Sequence, residues 1–137
     1  MTDPNTPSTP PELEVLVRQR LETFPELAFA VLVGSRAKGT AHAGSDWDIA
    51  LQWNPRPDWF AQLAAQETLR HEIANILQVP PEHIDLIDLA RASLAMRANV
   101  AEEGRLLAGG AGLAWFRFLT RTWRELEDHY WERSHAA

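Results

Sequence analysis

The chain has 137 residues, 45% of them apolar, no cysteine and a formal net charge of −6. That length predicts one domain able to bury its own core, and the lack of cysteine excludes disulfides and thiolate metal sites. The acidic balance argues against stable nucleic-acid binding through phosphate neutralisation. No apolar run approaches the roughly 20 residues that span a bilayer, and the N-terminus lacks the basic and apolar regions of a signal peptide. A cytoplasmic protein with no membrane partner is therefore expected.

Residues 1–11, rich in Pro, Thr and Asp, read as a disordered tail, whose last residue Pro11 also suits the first turn of a helix, and residues 12–137 as the folded domain. Leu13, Leu16, Val17, Leu21 and Phe24 repeat at helical spacing until Pro25 ends the pattern. Leu27–Val33 is short, continuous and apolar, as in a buried strand. Ser35–Lys38 suits a brief helical turn closed by Gly39, and Thr40–Ser45 a loop. Asp46–Trp53 alternates as a second strand, and Asn54-Pro55-Arg56-Pro57 reads as a turn. Trp59–Leu77 is an amphipathic helix stopped by Pro80-Pro81. His83–Leu89 reads as a third strand, Ser93–Leu107 as a helix broken by Gly109-Gly110, and Leu113–Arg133 as the last helix. This order predicts an α/β fold, a small mixed sheet flanked by helices.

The chemistry concentrates at Gly34–Asp48, GSRAKGTAHAGSDWD. Side chains alternate along a strand, so Asp46 and Asp48 share one face. Two like charges so placed repel each other, and a divalent cation with hard oxygen ligands relieves the repulsion. Gly34 lets the backbone approach a ligand, Ser35 adds a hydroxyl, and free N–H groups at such a turn attract phosphate. Arg36 and Lys38 add positive charge nearby. Other phosphate and metal motifs fail on detail. Thr40 stands where a P-loop needs lysine, Val33 where a nucleophile elbow needs glycine, and Asn75 where a zinc HExxH site needs its second histidine.

Gly34-Ser35, ten residues, then Asp46-x-Asp48 resembles the signature of the polymerase-β nucleotidyltransferase superfamily. GSRAKG, SDWDIAL and HIDLIDLARASLAMRANVAEEGRLL resemble its minimal nucleotidyltransferases over about Ala28–Leu107. The resemblance implies a polymerase-β-like fold and nucleotidyl transfer from ATP with two Mg²⁺ ions. It places metal and catalysis on Asp46, Asp48 and a third carboxylate of a neighbouring strand, and the nucleotide on Gly34 and Ser35, with Arg36, Lys38 and Ser45 beside them. The third carboxylate lies in HIDLIDL, where Asp85 and Asp88 point to opposite faces. Asp85, between Ile84 and Leu86 where an unpaired carboxylate is costly, is preferred; Asp88 is the alternative, or a capping residue. Arg97 is a weaker phosphate candidate.

Little of the chain lies beyond the core to hold an acceptor. Trp115, Leu119, Trp123, Leu126 and Tyr130 form an apolar stripe on the last helix, widened by Phe116 and Trp131. It suits core packing, with Tyr130 and Trp131 as candidates for a protein interface. The resemblance implies an antitoxin that transfers AMP to a tyrosine of a HEPN-domain ribonuclease toxin. Two alternatives are an aminoglycoside-type small-molecule nucleotidyltransferase and a non-catalytic antitoxin that acts by binding.

Overall fold

Leu27–Val33 (β1) forms the centre of the sheet because every residue from Phe29 to Val33 is apolar and buried. The computed structural model describes residues 10–55 and 58–135. The expected tail up to residue 9, and the Arg56-Pro57 half of the expected turn, lie outside the described residues. Pro11, expected in the tail, is the first residue of helix α1 (Pro11–Glu22), where its missing N–H costs nothing.

The chain continues through α2 (Gly34–Lys38), β2 (Trp47–Trp53), α3 (Trp59–Leu77), β3 (Ile84–Asp88), α4 (Leu94–Glu103), β4 (Arg105–Ala108) and α5 (Leu113–His135). The sheet order is β3-β2-β1-β4. β2 and β4 run antiparallel to β1, whereas β3 runs parallel to β2. The sheet is therefore mixed, as expected. Asp58 caps α3 by accepting from the Phe60 and Ala61 N–H groups, and Ser93 caps α4 by accepting from Met96 N–H.

The two faces of the sheet bury separate clusters. On one face α1 and α3 deliver Val17, Leu21, Leu69 and Ile73 onto Leu32, Ile49 and Leu51. On the other, α4 and α5 cover Phe29, Val31 and Ala50 with Val100 and Phe118. Phe29, Trp115 and Phe118 pack ring against ring, with centroids 5.1–5.6 Å apart. Among the described residues no helix is long and apolar enough to cross a membrane.

Two elements depart from expectation. The helix expected over Ser93–Leu107 ends at Glu103, and Arg105–Ala108 pairs with β1 as a fourth strand. Gly104 makes this possible: a Cβ there would fall 2.4 Å from both Val31 Cγ1 and the Val100 carbonyl oxygen. The Arg-Leu-Leu-Ala segment favours helix locally, and the open edge of β1 overrides that preference. On α5, Trp115 and Leu119 pack on the core as expected, but Phe118 and Thr122 are the buried positions. The rest of the stripe runs off the core, leaving Trp123, Tyr130 and Trp131 39%, 75% and 61% exposed.

Candidate active site

The parallel register of β2 and β3 sets Asp48 directly beside Asp85. Adjacent strands lie about 4.8 Å apart, so paired side chains on one face meet. Burial first, then the charges of Asp85 and Asp46 and close side-chain contact with Asp85, push the Asp48 carboxyl above its ordinary range. The preference for Asp85 rested on burial between Ile84 and Leu86, yet Asp85 is exposed. Register, not burial, brings it to Asp48. Asp88 points to the other face, where it accepts from Ala90 N–H at 3.1 Å and from Gln62 Nε2 at 3.2 Å. It is a capping residue.

Gly34 closes the site from β1. Val33 pairs with Asp48 across the antiparallel ladder, and Gly34 then turns with φ +72° into α2. A Cβ built on Gly34 would lie 2.3 Å from Asp48 Oδ2. No other residue lets this turn sit against that carboxylate. No side chain caps α2, and the N–H groups of a helix's first turn are the ones that can meet an anion. Thr40 N–H donates back to the Ser35 carbonyl at 3.0 Å and folds the turn closed.

The flanking candidates are held by the loop. Arg36 lies over the Trp47 ring, 4.3 Å from its centroid, and donates to the Ser45 carbonyl at 2.9 Å and the His42 carbonyl at 3.3 Å. Burial lowers its pKa and Asp46 opposes that. Arg36 thus clamps the 42–45 loop that leads into Asp46. Ser45 belongs to the same turn, its hydroxyl accepting from His42 N–H at 2.9 Å. Lys38 pairs with Glu103 at 2.9 Å, both side chains half exposed. Arg97 is turned away and pairs with Glu125 at 2.6 Å.

Two neighbours escaped sequence reasoning. His83 Nδ1 sits 3.1 Å from Asp46 Oδ1. Nothing in the spacing announces this contact across 37 positions; the β2–β3 register creates it. Trp47, between the aspartates, is the platform for Arg36.

Among the described residues no three aspartate, glutamate or histidine side chains converge as a ready metal cage. Mg²⁺ seldom needs one, since it commonly takes one or two carboxylates and completes its shell with water and phosphate. Asp48 and Asp85, with exposed Asp46 at their side, supply the hard oxygen donors such an ion could use.

Residues 17–110 match the family described as polymerase beta nucleotidyltransferase. The chain is 31% identical over 114 residues to the protein adenylyltransferase MntA of Aphanizomenon flos-aquae, covering 80% of this chain and 75% of that one. It is 31% identical over 94 residues to the MntA of Shewanella oneidensis, covering 69% of this chain and 63% of that one. A crystal structure of a toxin–antitoxin with AMP-PNP contains a chain that is 27% identical, with a TM-score of 0.65 over 91% of this chain and 94% of that one. The fold of a 23%-identical chain (TM-score 0.60, covering 88% of this chain and 92% of that one) is also similar; its structure is a tri-AMPylated Shewanella oneidensis HEPN toxin in complex with MNT antitoxin. The match spans the strands that carry the carboxylates and the turn that faces them, and the chain belongs to the polymerase-β nucleotidyltransferase family.

Proposed function

We propose that this protein is an antitoxin that transfers AMP from ATP to a hydroxyl of a partner HEPN-domain toxin, a tyrosine in our reading. The observation that carries the chemistry is the Asp48–Asp85 pair held against the Gly34 turn. The acceptor class follows from the adenylyltransferase relatives. ATP as a cytoplasmic co-substrate fits a chain without cysteine.

In this reading the first-turn N–H groups of α2 and the Ser35 hydroxyl hold the terminal phosphates, with Lys38 free to leave Glu103 for them. Arg36 and Ser45 fix the loop that delivers Asp46. The acceptor oxygen attacks the α-phosphorus, a new phosphorus–oxygen bond forms, and the bond to pyrophosphate breaks in line. Asp85, exposed at the mouth of the site, orients the hydroxyl and takes its proton. Two Mg²⁺ ions on Asp46, Asp48 and Asp85 would supply Lewis acidity for the attacking and leaving oxygens. Exposed Tyr130 and Trp131 offer apolar surface to the toxin.

The test is intact-mass analysis of a co-purified HEPN toxin after incubation with ATP and Mg²⁺. AMP-sized increments on the toxin, absent with EDTA, are expected. Increments on an aminoglycoside instead, or a metal-independent complex without any increment, would overturn the reading.

A further inference from the structure

One groove of this acidic protein is lined by cations. Arg117, Arg121 and Arg124 stand at i, i+4 and i+7 on α5, about 10 Å of helix. Together with Ala28 and Asn54 they border a groove of about 540 Å³, and buried Phe118 also lines it. Several other surface cations have carboxylate partners: Arg20 pairs with Glu72, Lys38 with Glu103, Arg97 with Glu125 and Arg105 with Glu14, while exposed Arg91 lies over the Trp59 ring. Among the described residues these three arginines have none. Three like charges on neighbouring turns repel one another until an anion joins them.

The groove lies at the wrong end of the sheet for the reacting phosphates. It borders the start of β1, and the Gly34 turn follows the strand's other end, five residues or about 17 Å away. A nucleic-acid backbone would also have to run along α5 past exposed Glu127, Asp128 and Glu132, which repel it. A short segment carrying carboxylates at helical spacing matches both the charge and the length of the stripe.

We propose that this groove docks an acidic segment of the protein that receives the nucleotide, holding it while its hydroxyl reaches the carboxylates at the far end of the sheet. The inference rests on the protein-acceptor reading above. Docking at one end raises the local concentration of the acceptor at the other. Arginine suits the task because its planar guanidinium binds carboxylate through two parallel hydrogen bonds.

The experiment uses fluorescence anisotropy, without ATP, on the full chain. The probes are a fluorescein-labelled helical peptide with Glu at i, i+4 and i+7, its Gln counterpart, and a labelled 12-nucleotide single-stranded RNA. The Glu peptide is expected to bind, more weakly as salt rises, and at least tenfold more weakly to Arg117→Gln/Arg121→Gln/Arg124→Gln. Arg121→Gln alone, at one exposed position, gives a smaller loss in the same direction. Asp48→Asn leaves peptide binding unchanged, which separates this site from the chemistry. In the transfer assay the triple variant raises KM for the toxin at least fivefold and leaves KM for ATP and kcat unaltered. Equal binding of Glu and Gln peptides, tighter binding of RNA through the same arginines, or a dimer that the triple variant dissolves would each overturn the proposal.

Discussion

Replacing Gly34 by alanine tests the site at its tightest point. Two costs arise, and they separate. The backbone cost comes from φ +72°, a left-handed conformation that penalises any Cβ by about 1–2 kcal/mol. For a domain of this size that lowers Tm by about 3–10 °C. The second cost falls on the site. The new Cβ would stand 2.3 Å from Asp48 Oδ2, whereas carbon contacts settle near about 3.5 Å. Asp48 is the movable partner, so its carboxylate retreats by about 1 Å from the position facing Asp85. A displacement of about 1 Å at reacting groups can cost on the order of 100-fold in rate. Thermal melts and an intact-mass time course at saturating ATP measure the two costs. In an Asp48→Ala background the contact disappears but the backbone strain does not, so Gly34→Ala should still lower stability there. A variant with unchanged Tm and full transfer would refute the placement of this turn against the carboxylate.

Four further outcomes follow from the same geometry. The Asp48 carboxyl is raised by burial first and neighbouring carboxylates second, so without metal the folded chain binds more protons than the unfolded one. Metal-free stability therefore falls as pH rises through the raised Asp48 pKa, and the penalty vanishes below the ordinary carboxylate range. Asp48→Asn should flatten that slope in melts run across pH, raise Tm near neutrality, and abolish transfer; a metal-free Tm that climbs with pH through this range in wild type but not in the variant would contradict it. Asp46→Asn should abolish transfer while circular dichroism stays native. Arg36→Ala removes the stacking on Trp47 and the hydrogen bonds to the 42–45 loop, so limited proteolysis should cut that loop faster and transfer should fall about tenfold or more. Gly104→Ala crowds Val31 and the Val100 carbonyl; chemical denaturation should register a loss of about 1–3 kcal/mol with the rate per folded molecule unchanged.

Much of this was legible in the residues alone. The run LAFAVLV read as a buried strand, and WDIALQW as a second strand with Asp48 at its start. The ten-residue spacing between Gly34-Ser35 and Asp46 carried the resemblance to the nucleotidyltransferase family, and the expected chemistry came with that resemblance. The helix Trp59–Leu77 was legible from its apolar spacing and the Pro80-Pro81 stop; the structure adds the Asp58 cap at its start and a left-handed Gln78 at its end.

What only the tertiary structure decided are pairings between segments remote in sequence. The strand Arg105–Ala108 exists because β1 offers an open edge, which no property of Arg-Leu-Leu-Ala reveals. Asp85 meets Asp48, and His83 meets Asp46, because β3 lies parallel to β2 in one particular register; a slip of one residue would turn Asp85 to the other face. Arg36, which charge alone offered to the phosphates, is drawn onto Trp47 and the loop carbonyls. Local sequence sets what each segment can become, while long-range packing selects which side chains share a site, and that selection is made by contacts no short window contains.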